Sequence, residues 1–226
     1  MSEIVPNLRD LGGTDVAGGS IRPGRLLRSA LPQRDDVAPD GIVWPPKVIV
    51  DLRSEVEIEP EHPLSGPGVT VHNFPLLTAL RPGVAPPESL AELYQLMLQT
   101  TSRHLVEVVD TVARAEDTTL VHCAAGKDRT GVSVAMVLAL LGAKRDDIVD
   151  DYLATARHQA EIQARFRRMY KTRSAELPAA YVATPIEAIT GVLDTWEQHP
   201  GGPLGWFRRW GGTDETVERL RENLVG

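Results

Sequence analysis

Cysteine is nearly missing from this chain of 226 residues, which carries one thiol, Cys123. No internal disulfide can form, and a lone usable thiol fits a reducing compartment. Long hydrophobic runs are also lacking. The longest, 132–143, is too short to cross a bilayer, and the opening Met-Ser-Glu has neither the basic nor the apolar region of a secretory signal. A cytoplasmic location is therefore expected, with signal-less export left open. Basic charge is in deficit: 24 Lys and Arg against 31 Asp and Glu leave a net charge of −7. General nucleic-acid binding, which rests on a basic surface, is disfavoured, so any attraction for phosphate must be local. The six histidines, His72 among them, show no metal-site spacing. What remains, with 42% hydrophobic residues, is enough to bury a full core, and the length reads as one domain over 1–226 with an embellishment.

Against this background one segment stands out. Residues 122 to 131 read His-Cys-Ala-Ala-Gly-Lys-Asp-Arg-Thr-Gly, between the apolar pair Leu120-Val121 and the apolar run that begins at Val132. Strand, loop and helix in that order aim the backbone N–H groups of Ala124, Ala125, Gly126 and their neighbours inward, and the helix dipole adds positive charge at the same point. Such a nest, with Lys127 and Arg129 beside it, favours the thiolate of Cys123 over the thiol. Arg129 can grip a phosphoryl group with two parallel N–H bonds, which lysine could not copy. Gly126 and Gly131 suit tight curvature and close packing, and Thr130 offers a hydroxyl to a departing thiolate. A lone cysteine is more often a small buried hydrophobe, but a purely structural turn has no use for this combination of residues.

These residues resemble the signature His-Cys-x5-Arg-Thr/Ser of cysteine-dependent phosphatases. More narrowly, the chain resembles the atypical bacterial tyrosine and lipid phosphatases of the PtpB type, with loops reading His-Cys-x-x-Gly-Lys-Asp-Arg-Thr-Gly. Asn7-Leu8-Arg9-Asp10-Leu11-Gly12-Gly13, Gly24-Arg25-Leu26-Leu27-Arg28-Ser29-Ala30 and Val50-Asp51-Leu52-Arg53-Ser54-Glu55 follow that family's N-terminal order, and Asp214 to Arg221 resembles its closing helix. The resemblance spans nearly the whole chain and lapses between Arg157 and Ala183. It implies a cysteine-phosphatase fold, with 157–183 as a helical insertion or lid. It also implies action on phosphotyrosine, often phosphoserine or phosphothreonine, and phosphoinositides, with no metal and no cofactor.

Cleavage through a cysteinyl phosphate needs a proton donor for the departing oxygen and a base for the incoming water. In other cysteine phosphatases an aspartate on a separate loop does both. Here no Asp or Glu lies between Glu61 and Glu88, and the corresponding slot falls near Thr78, which cannot serve. Trp44-Pro45-Pro46 imitates the Trp-Pro-Asp element but lacks the acid and precedes the wrong strand. Asp128, inside the cradle, is the remaining candidate acid, with orientation of Arg129 as its rival role. Asp51 and Arg53 close a strand at 47–52 expected beside the nucleophile strand, as rim residues or as a structural ion pair. His122 is expected to fix the loop by hydrogen bonds.

The pattern predicts an α/β fold with a mainly parallel central sheet flanked by helices. A hairpin at 16–21 turns on Gly18-Gly19 and, with a strand at Leu26-Leu27, forms an N-terminal edge. Strands follow at 69–75 and 120–121, and helical material at 90–115 breaks at Thr100-Thr101-Ser102, where a hydroxyl can cap the second helix. A buried helix ends at Gly142, a second spans 146–158, a third 185–198, and a capped helix starts near Thr213. Gly201, Gly202 and Pro203 mark a loop, and Trp206, Phe207 and Trp210 are core or the lining of a pocket. The segment 157–173 holds Arg157, Arg165, Arg167, Arg168, Lys171 and Arg173 against Glu161 alone. It is either a solvated face or a rim that greets acidic peptides or phosphoinositide head groups, and Lys127 could touch a second phosphate of an inositol ring. A catalytically silent module that docks phosphorylated partners is the alternative from another class.

Overall fold

Short apolar strands flanked by breakers build the centre of the molecule. The computed structural model describes residues 3–77, 87–169 and 183–226. Strands β1 (Arg9–Asp10), β4 (Leu26–Ser29), β5 (Val48–Asp51), β6 (Thr70–Asn73) and β7 (Thr119–His122) form one sheet, and β2 (Asp15–Val16) and β3 (Gly19–Ser20) form a separate hairpin. The sheet order is β1-β4-β7-β5-β6, with every pair parallel except β1 with β4. In the pairing of β5 with β7, Asp51 stands opposite His122, so the two strand ends that matter finish side by side.

Side chains alternate across these strands, as pleating requires. Leu26, Val50 and Val121 face the larger core with the helices, whereas Leu27, Ile49 and Leu120 face a smaller cluster with Val5, Leu8 and Leu64. The helices are α1 (Leu90–Thr100), α2 (Ser102–Arg114), α3 (Asp128–Leu141), α4 (Arg145–Ala154), α5 (Gln159–Met169), α6 (Ile186–Glu197), α7 (Gly202–Arg209) and α8 (Asp214–Leu224), with a 3₁₀ turn at Thr155–His158. Helix α3 is the axis of the larger core and touches α2, α4, α6, α7, α8, β4 and β7. Its residues Val132, Val134, Met136, Val137 and Leu138 are fully enclosed, and Gly142 closes it in the left-handed conformation at φ 79°. An apolar helix packed on every side is a rigid base for the loop it carries.

Several details depart from the expectation. The hairpin turns on Ala17-Gly18, because Gly18 takes the positive φ of 90° and Gly19 already belongs to β3. Strand β4 is interior, beside β7, and only β1 forms that edge. Thr101 precedes α2 without capping it. Its hydroxyl, like that of Ser102, turns back onto a carbonyl of α1, and this local bond competes with the cap. Gly202 and Pro203 open helix α7 instead of forming a loop, since proline is tolerated in a first helical turn. Trp206 and Phe207 are core, with the Trp206 ring 5.8 Å from that of Trp196. Arg165 is buried and forked onto Asp36, and Arg168 pairs with Glu3, so α5 is not simply a solvated face. Lys171 and Arg173, and with them residues 170–182 of the expected insertion, lie outside the described residues, as does Thr78. No helix among the described residues is long and apolar enough to cross a membrane.

Candidate active site

The loop leaves β7 at His122 and enters α3 at Asp128, with the buried Cys123 at its start. Its carbonyls are held from behind. Leu31 N–H donates to the Ala124 carbonyl (3.1 Å), and Asn7 Nδ2 to those of Gly126 (2.9 Å) and Ala125 (3.2 Å). Arg28 Nη2 adds a bond of 2.8 Å to the Gly126 carbonyl, while its Nη1 pairs with Asp151. With the carbonyls turned outward, the amides of Ala124, Ala125 and Gly126 donate to nothing among the described residues. Such free amides on a curved loop form an anion nest. Gly126 permits the curvature: its φ is 65°, and a Cβ there would lie 2.1 Å from the Ser29 carbonyl oxygen. Thr130 Oγ1, fully buried, likewise has no partner among the described residues.

Arg129 is anchored by a residue that sequence reasoning passed over. Glu57 accepts from Nη1 at 2.5 Å and from Nη2 at 2.9 Å, and Nη1 also reaches the Leu52 carbonyl at 3.5 Å. These contacts take both hydrogens of Nη1 and one of Nη2. The Nε–H and the remaining Nη2–H, a parallel pair along the other guanidinium edge, have no acceptor among the described residues. Burial would lower the Arg129 pKa, but Cys123 and Glu57 outweigh it and hold the guanidinium above its ordinary value. Burial likewise works against ionising Glu57, yet Arg129 and the N–H and hydroxyl of Ser54 hold its carboxyl at about 2.

Asp51 and Arg53 form a buried ion pair, Nε to Oδ1 at 3.0 Å and Nη2 to Oδ2 at 2.8 Å. Arg53 Nη1 continues to the Glu57 carbonyl at 3.1 Å, so this pair supports the anchor of Arg129. Although burial opposes its charge, His122 and Arg53 keep Asp51 below the ordinary carboxylate range. Next to it His122 Nε2 lies 2.9 Å from His62 Nε2, and Leu64 N–H donates to His62 Nδ1 at 3.1 Å. His62 must therefore carry its hydrogen on Nε2 and donate to His122, which in turn donates from Nδ1 to the Cys123 carbonyl at 3.1 Å. Burial lowers the pKa of both rings, that of His62 to about 4, in keeping with two neutral imidazoles. Ligand atoms of Asp51, His62 and His122 converge within 4.8 Å, a proximity that sequence spacing does not reveal. This set does not suit a metal, because the nitrogen of His62 that would bind it is committed as a donor.

Asp128 meets a different environment. The Tyr94 hydroxyl donates to its Oδ1 at 2.7 Å, and Lys127 Nζ lies 3.5 Å from the same oxygen. Lys127 is buried and donates to the Ala183 carbonyl at 2.7 Å. Gly131, one turn into α3, faces the ring of Tyr152, whose Cδ2 would stand 2.9 Å from an added Cβ. Trp44, half-buried, packs against the smaller core cluster and donates to the Asp36 carbonyl at 3.1 Å. The loop thus gathers Cys123, Lys127, Asp128, Arg129 and Thr130 with Asp51, Arg53 and His122, and adds Glu57, His62, Tyr94, Asn7 and Arg28. Asn7 and Arg28 stand in the N-terminal segments that carry the family resemblance, a usable signal. Glu57, His62 and Tyr94 left none.

A family model described as the tyrosine phosphatase family matches residues 2–226. Triple specificity protein phosphatase PtpB of Mycobacterium tuberculosis is 28% identical over 97% of this chain and 96% of its own length. A protein of Cupriavidus necator is 32% identical over 81% of this chain and 71% of its own, and its name also refers to a tyrosine-protein phosphatase.

Proposed function

The chain belongs to the tyrosine phosphatase family, and on that premise we propose that it hydrolyses phosphate monoesters, phosphotyrosine first, through a phosphate carried on Cys123. The free Nε–H and Nη2–H edge of Arg129 is the observation that carries this reading, because it offers two parallel donors to two phosphoryl oxygens beside Cys123. The Cys123 sulfur attacks phosphorus, the bond from phosphorus to the ester oxygen breaks, and Asp128 gives that oxygen its proton. Water then attacks the cysteinyl phosphate and yields its proton to Asp128. Inorganic phosphate leaves, and the thiolate returns. Arg129 and the amides of Ala124, Ala125 and Gly126 hold the equatorial oxygens while charge shifts. The Thr130 hydroxyl, unpartnered among the described residues, is the proposed donor to the departing sulfur.

A second substrate class, phosphoinositides, rests on Lys127, a cation of the loop whose ammonium lies 3.5 Å from Asp128 Oδ1. Its bond to the Ala183 carbonyl would have to be exchanged for a ring phosphate, which places phosphopeptides ahead. Turnover of p-nitrophenyl phosphate should vanish in Cys123→Ser and survive a chelator. Rapid quenching with labelled substrate should leave phosphate on the wild-type protein. Turnover that persists in Cys123→Ser would overturn the reading. Phosphopeptides and phosphoinositide vesicles, compared on one preparation, rank the two classes.

A further inference from the structure

Two phenols lie in line behind the candidate acid. Tyr94 on α1 donates to Asp128 Oδ1 at 2.7 Å, and its oxygen lies 3.0 Å from that of Tyr152 on α4. Both side chains are buried, with their rings perpendicular at 88° and centroids 6.2 Å apart. Burial, then the neighbouring Asp128, pushes both phenols up, so each keeps its hydrogen. A carboxylate can only accept, which leaves one arrangement for the chain: Tyr152 donates to Tyr94, and Tyr94 donates to Asp128.

This order constrains where a proton on Asp128 can sit. On Oδ2 it leaves both phenolic bonds as they are. On Oδ1 it would either leave the Tyr94 hydrogen on the weaker acceptor of a hydroxyl oxygen or turn Tyr94 back onto Tyr152, whose hydrogen would then have no acceptor among the described residues. A buried donor without an acceptor is costly. Lys127 Nζ, 3.5 Å from Oδ1, opposes a proton on that oxygen too.

We infer that Tyr94, backed by Tyr152, is a positioning residue that occupies Asp128 Oδ1 and reserves Oδ2 for exchange of the proton with the leaving group. The inference rests on the reading of Asp128 as general acid and base, and goes beyond it by naming the oxygen and what selects it. Neither phenol touches substrate. The ring packing of α1 against α4 survives in Tyr94→Phe and Tyr152→Phe, so the hydroxyls can be removed alone.

The test is kcat on a series of aryl phosphates running from p-nitrophenyl to phenyl phosphate. Tyr94→Phe should lose about 10-fold or more on phenyl phosphate and only a few-fold at most on p-nitrophenyl phosphate, with KM little changed, because help to a poor leaving group is what general-acid catalysis supplies. Tyr152→Phe should show the same slope to a smaller degree. Tyr94→Phe added to Asp128→Asn should cost nothing further on phenyl phosphate, since the phenol acts through that carboxyl. Equal losses across the series in Tyr94→Phe, beside a steep dependence in Asp128→Asn, would overturn this inference alone. A flat Asp128→Asn would overturn the acid assignment and this inference with it. If Tyr94→Phe fails to fold, the Tyr152→Phe slope decides the question on the same terms.

Discussion

Two carboxylates border the phosphate loop, and the molecule holds them in opposite ways. On the β5 side, Glu57 is forked onto a guanidinium and backed by the Asp51–Arg53 pair. On the helical side, Asp128 rests against a phenol that is itself held by a phenol. A carboxylate locked by arginine stays charged at neutral pH and suits a scaffold. Asp128 also meets a cation, Lys127 Nζ at 3.5 Å, but no fork: its close contact is the neutral Tyr94 hydroxyl at 2.7 Å. The contrast separates the group that aims Arg129 from the group proposed to move protons, although both are acids near the same cation.

The largest effect should come from the locked side. Arg129→Lys removes the two-donor edge and should lower kcat/KM by about 10³-fold or more, as loss of a transition-state arginine does. The loss should be similar for p-nitrophenyl and phenyl phosphate, because the grip on the equatorial oxygens does not depend on the leaving group. Asp128→Asn should instead cost about 10²-fold on phenyl phosphate and only a few-fold on p-nitrophenyl phosphate. Two parallel profiles would erase the distinction between the sides.

Glu57→Gln sharpens the contrast through pH. The Glu57 carboxyl is held at about 2, against 4.5 for its ordinary value. The folded state therefore binds this proton less readily than the unfolded chain, and the stability it contributes is whole above about 4.5 and is lost as pH falls toward 2. With its side chain 29% exposed, the contribution is on the order of 1–2 kcal/mol. Unfolding free energies from urea melts at pH 7 and pH 3 should differ less in Glu57→Gln than in the wild type, by the larger part of that amount. An unchanged difference would show that the fork contributes no acid-sensitive stability.

What could be read in the sequence follows from distance along the chain. Cys123, Arg129, the strand ahead of them and the helix behind form one continuous stretch, so local pattern exposes them. The partners that set their geometry do not. Glu57 lies 72 residues from Arg129, His62 lies 60 from His122, and Tyr94 lies 34 from Asp128. In a linear reading Glu57 is one acid in an acidic run, and Tyr94 is one aromatic on an amphipathic helix. Asp51 and Arg53 were legible as a strand end beside the nucleophile strand, because parallel β5 and β7 bring Asp51 opposite His122. Their support of Glu57 was not. Arg165 shows the converse error: a basic run suggests solvent, while burial against Asp36 takes that arginine out of the count of free cations.

The smallest expected effect concerns the histidine pair on the locked side. His62 is held at about 4, against 6.5 for its ordinary value, by burial first, with His122 and Arg53 adding to it. Because the folded value is depressed, the unfolded chain takes the proton first, and stability present above about 6.5 is lost as pH falls through that window toward 4. Glutamine can reproduce both bonds of His62, accepting from Leu64 N–H and donating to His122 Nε2, without titrating. His62→Gln should therefore change stability at pH 7.5 by less than about 1 kcal/mol. It should also flatten the fall between pH 6.5 and pH 4, as followed by urea midpoints. A large loss at pH 7.5 would mean that ring packing, not the directed hydrogen bonds through His122 to the Cys123 carbonyl, holds this side of the loop. An equally steep fall would move the titrating group away from His62 altogether.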